Sequence, residues 1–268
     1  MTEPKNIDRL KGILPQKEKG SLQPIIPQSI EEQRRLQLER LAAGFRLFAL
    51  YGFDEGLAGH ITLRDPEFSD HFWVNPLGMN FSQISVSDLL LVKEDGQIIQ
   101  GNRPINPAAF AIHSSIHKAR PDVNSAAHAH SVFGRTFSSL GKLLDPITQD
   151  AALFFQEQAI YDSYGGVAFD IEEGLAIAEA LGEKRTAILQ NHGLLTTGTS
   201  VDIAIWLFIA MDKCCQSQLL ADSAGSPIII SDEIALQAKA QAGTDMILWA
   251  SFQPLYDLIY AMEPNFLK

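Results

Sequence analysis

Apolar positions along this 268-residue chain recur at two periods, and the switches between them outline its elements. Leu38, Leu41, Phe45 and Phe48 fall at the spacing that aligns side chains on one helical face. Ser29 opens that helix with Glu32 three residues on, as in a capping box, and the apolar face runs to Tyr51-Gly52. Short runs then take over. Ile61-Thr62-Leu63 and Phe72-Trp73-Val74 have strand character, and Leu89 to Val92 leads into the turn Glu94-Asp95-Gly96, from which Ile98-Ile99 returns as a hairpin. A helix from about Pro107 to Lys118 stops before Pro121, because the residue ahead of a proline is steered out of helical conformation. Ser125 to His130 reads as a buried strand and Ser131 to Leu140 as a short helix with Ser131 at its N-cap. Gly165 to Phe169 reads as a turn and strand, and Ile171 to Leu181 as an amphipathic helix closed by Gly182. Thr186 to Leu189 is a further buried strand, and Val201 to about Ala224 and Ser231 to about Met262 are long and mainly helical. Hairpins precede and interrupt the helices instead of alternating strictly with them. The pattern predicts a central, largely antiparallel sheet covered by helices on its faces.

Composition narrows the function classes. With 46% apolar residues the chain can bury a substantial core, and residues 29–268 are expected to form one domain. Residues 1–28, rich in Lys, Glu, Gln and Pro, read as a flexible tail. A net charge of -11 argues against nucleic acid, which needs a basic footprint, and against an anionic membrane surface. No apolar run is read as approaching the ~20 residues that span a bilayer, and the N-terminus lacks the apolar centre of a signal peptide. Cys214 and Cys215 are adjacent and cannot staple distant segments, so a reducing, cytoplasmic setting is expected.

The candidate chemistry lies in histidines. His128 and His130 stand two apart on a predicted strand, so their imidazoles project to the same side and can take neighbouring positions on one ion. His192, in the run Leu189-Gln190-Asn191-His192-Gly193, would complete a three-nitrogen face. A lone buried histidine is more often a hydrogen-bonded core residue; the pair with a third partner tips the reading towards a metal. Neutral imidazole suits Zn, Fe, Ni and Cu, and three protein ligands leave an open position, whereas a structural zinc site is closed by four. The Gly-rich pieces lack a nucleotide-binding order, and no serine sits in a nucleophile elbow.

Several motifs carry a resemblance. Asn106-Pro107-Ala108-Ala109-Phe110-Ala111-Ile112-His113, then Ala119-Arg120-Pro121-Asp122-Val123, His128-Ala129-His130-Ser131 and Gln190-Asn191-His192-Gly193-Leu194-Leu195 resemble the class II aldolase/adducin family. Gly59-His60-Ile61-Thr62-Leu63-Arg64 and Asn75-Pro76-Leu77-Gly78 resemble its earlier motifs in the same order, and the likeness covers about residues 35–225. The resemblance implies a three-layer α/β/α fold and a divalent ion, zinc first and Fe(II) as the alternative, on His128, His130 and His192. It also implies a homotetramer with sites between subunits. His60, Asn75, Gly78 and Asn106 are the matching candidates for substrate binding.

The departures from the aldolase pattern limit the function. Sugar-phosphate aldolases of the family carry an acid/base carboxylate eleven positions before the residue equivalent to Arg120; here that position is Ala109. A methyl group moves no proton. Pro107 and Ala108 stand where serines commonly grip the substrate phosphate, and His60 where an asparagine does. The altered pattern resembles two subgroups better. One is the adducin head domain; adducin's actin and spectrin role depends on a neck and a long basic tail, so those partners are not expected of this acidic chain. The other is the decarboxylating non-haem iron oxygenases of aminocoumarin biosynthesis, similar over Ala42 to Phe48 and Tyr51 to Gly56. His60, His113 and Asp150 are the candidate catalytic groups, and Tyr161, Tyr164, Tyr256 and Tyr260 could each supply a phenol. Packing is the plainer role for His113 and His117, and loop or helix capping for Gln149 and Asp150. The expectation is a metal-dependent enzyme acting on a small non-phosphorylated carbonyl or carboxylate by carbon–carbon cleavage or decarboxylation. The alternatives are Fe(II)-dependent oxidative decarboxylation of 2-keto or 2-hydroxy acids, and a non-catalytic adducin-head-like assembly module.

Overall fold

The computed structural model describes residues 24–166 and 171–268. Most of the expected tail and the strand expected over 167–169 lie outside them. Helix α1 (Ile30–Leu50) starts where the capping pattern puts it: Ser29 Oγ accepts from the Glu32 N–H at 3.2 Å. The Glu32 carboxylate reaches one residue further back than a capping box requires, accepting from the Gln28 N–H at 2.7 Å. Eight strands follow: β1 (His60–Arg64), β2 (His71–Val74), β3 (Leu90–Lys93), β4 (Ile98–Gln100), β5 (Ser125–Ala129), β6 (Gln158–Tyr161), β7 (Thr186–Leu189) and β8 (Gly193–Gly198). They form one sheet in the order β4-β3-β2-β1-β5-β8-β7-β6, antiparallel at every step except β6–β7. The remaining helices are α2 (Pro107–Ala119), α3 (Val132–Ser138), α4 (Ile171–Leu181), α5 (Val201–Ala224), α6 (Asp232–Ala242) and α7 (Asp245–Met262). The stretch read as mainly helical from Ser231 is thus broken, with Gly243 capping α6 and Thr244 Oγ1 capping α7.

Strand alternation explains the three layers. Ile61 and Leu63 of β1, Trp73 of β2, Leu91 of β3, Ala127 and Ala129 of β5, Ile188 of β7 and Leu194 of β8 share a core with α1, α5 and α7. The residues between them turn the other way. Ala187, Leu189 and Leu195 pack with Ile112 and Ile116 of α2 and Ile177 and Leu181 of α4, while Phe72, Val74, Leu90 and Val92 pack around Phe110. The sheet is buried on both faces, so its central strands read as continuous apolar runs instead of alternating ones. Helix α5 lies in the middle of the first layer. Contrary to the sequence reading, it is long and apolar enough by length and composition to cross a membrane, and 67% of that stretch is buried within the fold, as in a core helix.

Candidate metal centre

Three backbone features bring His128, His130 and His192 together. His128 sits on β5 between β1 and β8, paired in register with His60 on one side and Leu195 on the other. His130 follows two residues later, just beyond the strand. His192 rides the turn joining β7 to β8, where its N–H donates to the Leu189 carbonyl at 2.9 Å and Asn191 takes a φ of 58°. Asparagine is among the few non-glycine residues that adopt that conformation readily. Gly193 completes the approach, since a Cβ there would stand 3.2 Å from the Ala129 carbonyl oxygen and 3.6 Å from the His128 ring. The ring centroids are 5.1 Å apart for His128–His130, 4.7 Å for His128–His192 and 4.9 Å for His130–His192. One ligand nitrogen from each lies within 4.8 Å of the others.

The protonation states suit a cation. His128 Nδ1 donates to the Leu194 carbonyl at 2.7 Å, which leaves its Nε2 lone pair for an ion and fixes the ring's orientation. Burial, reinforced by the neighbouring imidazoles, holds His128 well below the usual histidine range and His192 down at about 4. His130 is lowered too, by burial and by Arg135. All three are neutral at pH 7, the form that ligates. The donor set therefore fits a divalent ion of the zinc or iron type.

The histidines open on a cavity of about 320 Å³ whose other walls are Leu57, Ala58, Gly59, His60, Leu77, Asn106, Pro107, Ala108 and Ile112. No Lys, Arg, Asp or Glu is among these residues. Gly59, at a φ of 91°, lets the chain pass close to β5: a Cβ there would lie 3.3 Å from the His128 carbonyl oxygen. Asn106 lines the cavity, yet its side chain is committed to local structure. Its Oδ1 caps α2 by accepting from the Ala108 N–H at 3.0 Å, and its Nδ2 donates to the Leu57 carbonyl at 3.2 Å.

The other candidates are dispersed. Asn75 and Gly78 line an adjoining groove with Asn106 and Asp54. Asp150 faces a different cavity, lined by Tyr51, Trp206, Lys213 and Cys214, and Glu157 is paired with Lys239 at 3.1 Å. Neither carboxylate is brought to the histidines. Ala109 is buried. Tyr164 is the tyrosine nearest the triad, its ring 6.5 Å from that of His192, whereas Tyr256 and Tyr260 stack on each other on α7. His60 and His113 do join the site. Their ring centroids are 4.2 Å apart, and His60 is 5.1 Å from His128. Behind them runs a connection that the sequence reading missed: Thr62 Oγ1 lies 2.8 Å from both His113 Nδ1 and His117 Nε2. The spacing of His113 and His117, one helical turn apart opposite a strand threonine, was the available signal.

A mostly antiparallel sheet between two helical layers, with a histidine cluster where its central strands end, is the class II aldolase arrangement. The chain belongs to this family: the profile described as "Class II Aldolase and Adducin N-terminal domain" matches residues 39–219. Proteins of this class generally depend on a divalent metal and are typically oligomeric. The chain is 42% identical over 245 residues to "Decarboxylase NovR" of Streptomyces niveus, covering 91% of each protein. It is 42% identical over 244 residues to "4-hydroxy-3-prenylphenylpyruvate oxygenase/4-hydroxy-3-prenylbenzoate synthase" of Streptomyces roseochromogenus subsp. oscitans, covering 90% of this chain and 88% of that one. Among solved structures, "L-fuculose 1-phosphate aldolase from Glaciozyma antarctica PI12" superposes with a TM-score of 0.86 at 41% identity, over 92% of this chain and 97% of the other. Relatives of nearly equal identity bear names for different reactions, so overall likeness does not choose among them.

Proposed function

We propose that this protein is a metal-dependent enzyme acting on a small, non-phosphorylated carbonyl or carboxylate substrate, with decarboxylation or carbon–carbon cleavage as its reaction. The carrying observation is a neutral histidine triad opening on an apolar cavity without a cationic or acidic wall. His128, His130 and His192 would hold the ion, which when bound supplies Lewis-acid polarisation of substrate oxygens. A phosphate needs a cation or several free N–H donors; Pro107 has no N–H, and that of Ala108 is taken by Asn106. Leu57, Leu77, Pro107, Ala108 and Ile112 instead offer a dry seat for a carbon body. Loss of CO₂ requires no proton drawn from carbon, which suits a cavity without a carboxylate. With Fe(II) the second reading, oxidative decarboxylation of a 2-keto or 2-hydroxy acid, is favoured by the 42% identity to a protein named an oxygenase. Residues 29–268 acting as one unit, a homotetramer and a cytoplasmic setting complete the proposal.

Metal content tests it. Purified protein is expected to carry about one divalent ion per chain and to lose thermal stability on chelation. Protein without stoichiometric metal, whose melting is indifferent to chelator, points to the assembly module instead. Oxygen uptake with 2-keto or 2-hydroxy aryl acids under Fe(II), against CO₂ release without oxygen, separates oxygenase from lyase.

A further inference from the structure

His60 is 2% exposed, lines the cavity, and has no hydrogen-bond partner at either ring nitrogen. An unpaired buried polar atom costs about 1–3 kcal/mol, so a residue serving only to fill this space would be better apolar. Nor is His60 one of the nitrogens gathered within 4.8 Å of one another, which come from His128, His130 and His192. Its place is beside the ion site.

The groups behind it determine which of its nitrogens carries the proton. His117 Nδ1 is 3.3 Å from the Val123 carbonyl, an acceptor only, so that nitrogen bears the hydrogen and Nε2 is bare. The Thr62 hydroxyl therefore donates to His117 Nε2 and accepts from His113 Nδ1–H, each at 2.8 Å. His113 Nε2 is left as a lone pair, and it too has no partner. The ring in contact with His113 on the cavity side is His60, at 4.2 Å between centroids. A neutral His60 that turns its single N–H to His113 Nε2 keeps its other nitrogen bare towards the cavity.

We propose that His60 is the cavity's hydrogen-bond acceptor, held in that tautomer by the chain His113–Thr62–His117–Val123, and that it reads a hydroxyl next to the substrate's carboxylate. The substrate class is then an α-hydroxy acid with an apolar body. This deepens the functional reading above and rests on it. His60 touches substrate, while Thr62, His113 and His117 are positioning residues.

Two measurements test the proposal. On protein labelled with ¹⁵N-histidine, long-range ¹H–¹⁵N correlation is expected to show His117 and His113 protonated at Nδ1; protonation of His113 at Nε2 overturns the relay. By calorimetry, zinc-loaded protein is expected to bind 3-phenyllactate at least about tenfold more tightly than its O-methyl ether. His60→Phe should bring the two within about twofold at unchanged metal content, and Thr62→Val should lower the preference and mix the His113 tautomers. No preference in the native protein, a preference that survives in His60→Phe, or binding of neither acid overturns the proposal. Should His60→Phe not fold, Thr62→Val and the tautomer signals decide. Native protein that takes up no zinc strikes at the underlying functional reading instead, while the tautomers are read independently of metal and ligand.

Discussion

Strand β1 ends in two buried polar groups that were built differently. At its far end Asp65, 3% exposed, receives Arg34 in bidentate fashion at 2.8 and 3.0 Å, the Trp73 indole at 2.9 Å, and the Glu67 and Phe68 N–H groups at 2.9 and 3.1 Å. At its near end His60, equally buried, receives nothing. Burial alone does not distinguish structure from function; satisfaction does. Asp65 ties α1, β1 and β2 into one framework and leaves no valence over. His60 is carried on the same strand with its valence unspent, which makes sense if a ligand completes it.

The largest effects should fall on the metal-site side of that contrast. His192→Ala is expected to lower metal affinity by about 100-fold or more and to remove turnover, read as metal per chain and kcat, with little change in the fold's intrinsic stability. Asp65→Ala should do the reverse. It leaves Arg34, Trp73 and two backbone donors without their acceptor and is expected to cost about 3 kcal/mol in urea unfolding at unchanged metal content. If Asp65→Ala lost metal as completely as His192→Ala, the two ends of β1 would not be separable.

How much of this was legible depended on whether the determinants were local. Ile171–Leu181, Thr186–Leu189 and Val201–Ala224 fall where periodicity and caps place them, because each carries its own start and stop signals. The bringing together of His128, His130 and His192 was foreshadowed by strand spacing and by motif order. Strand β8 escaped notice: Leu194-Leu195-Thr196-Thr197 is buried on both faces and gives no alternation, and β6 is a four-residue edge strand. The chain His113–Thr62–His117 was equally illegible, since it exists only once α2 packs across β1, some fifty residues away in sequence. Placing Asp150 near the triad failed for the same reason: its residue type fitted the chemistry, but its loop faces another cavity.

Acid should distinguish the two ends as well. Burial pushes the Asp65 carboxyl up, but Arg34, the Glu67 N–H, Trp73 and the Phe68 N–H outweigh it and hold the group at about 2. A depressed carboxyl stabilises above its unfolded value and loses that contribution as pH falls from about 4 to about 2, on the order of 1–2 kcal/mol after allowance for screening at Arg34. His117 is also depressed, by burial and then by Arg64, to about 3. Between pH ~6.5 and ~3 its unfolded form takes a proton that the native form refuses, so stability drops in that higher window by up to ~1.4 kcal/mol per pH unit. Unfolding at pH 6.5 and 5 in chelator should show native protein losing about 2 kcal/mol more than His117→Gln.

The smallest stability effect is the most discriminating. His60→Phe removes two unpaired nitrogens and adds apolar surface beside Leu57, Leu77 and Ile112, so it is expected to leave stability unchanged or raise it by up to about 1 kcal/mol. A residue kept for function at a cost in stability behaves in this way, whereas one kept for structure does not. Urea midpoints at constant slope read the sign. A loss above about 1 kcal/mol would put His60 in the same category as Asp65 and erase the difference between the two ends of β1. A gain, alongside lost recognition of a hydroxyl, would show that the strand carries a deliberately incomplete hydrogen-bond set at the end where the ligand enters.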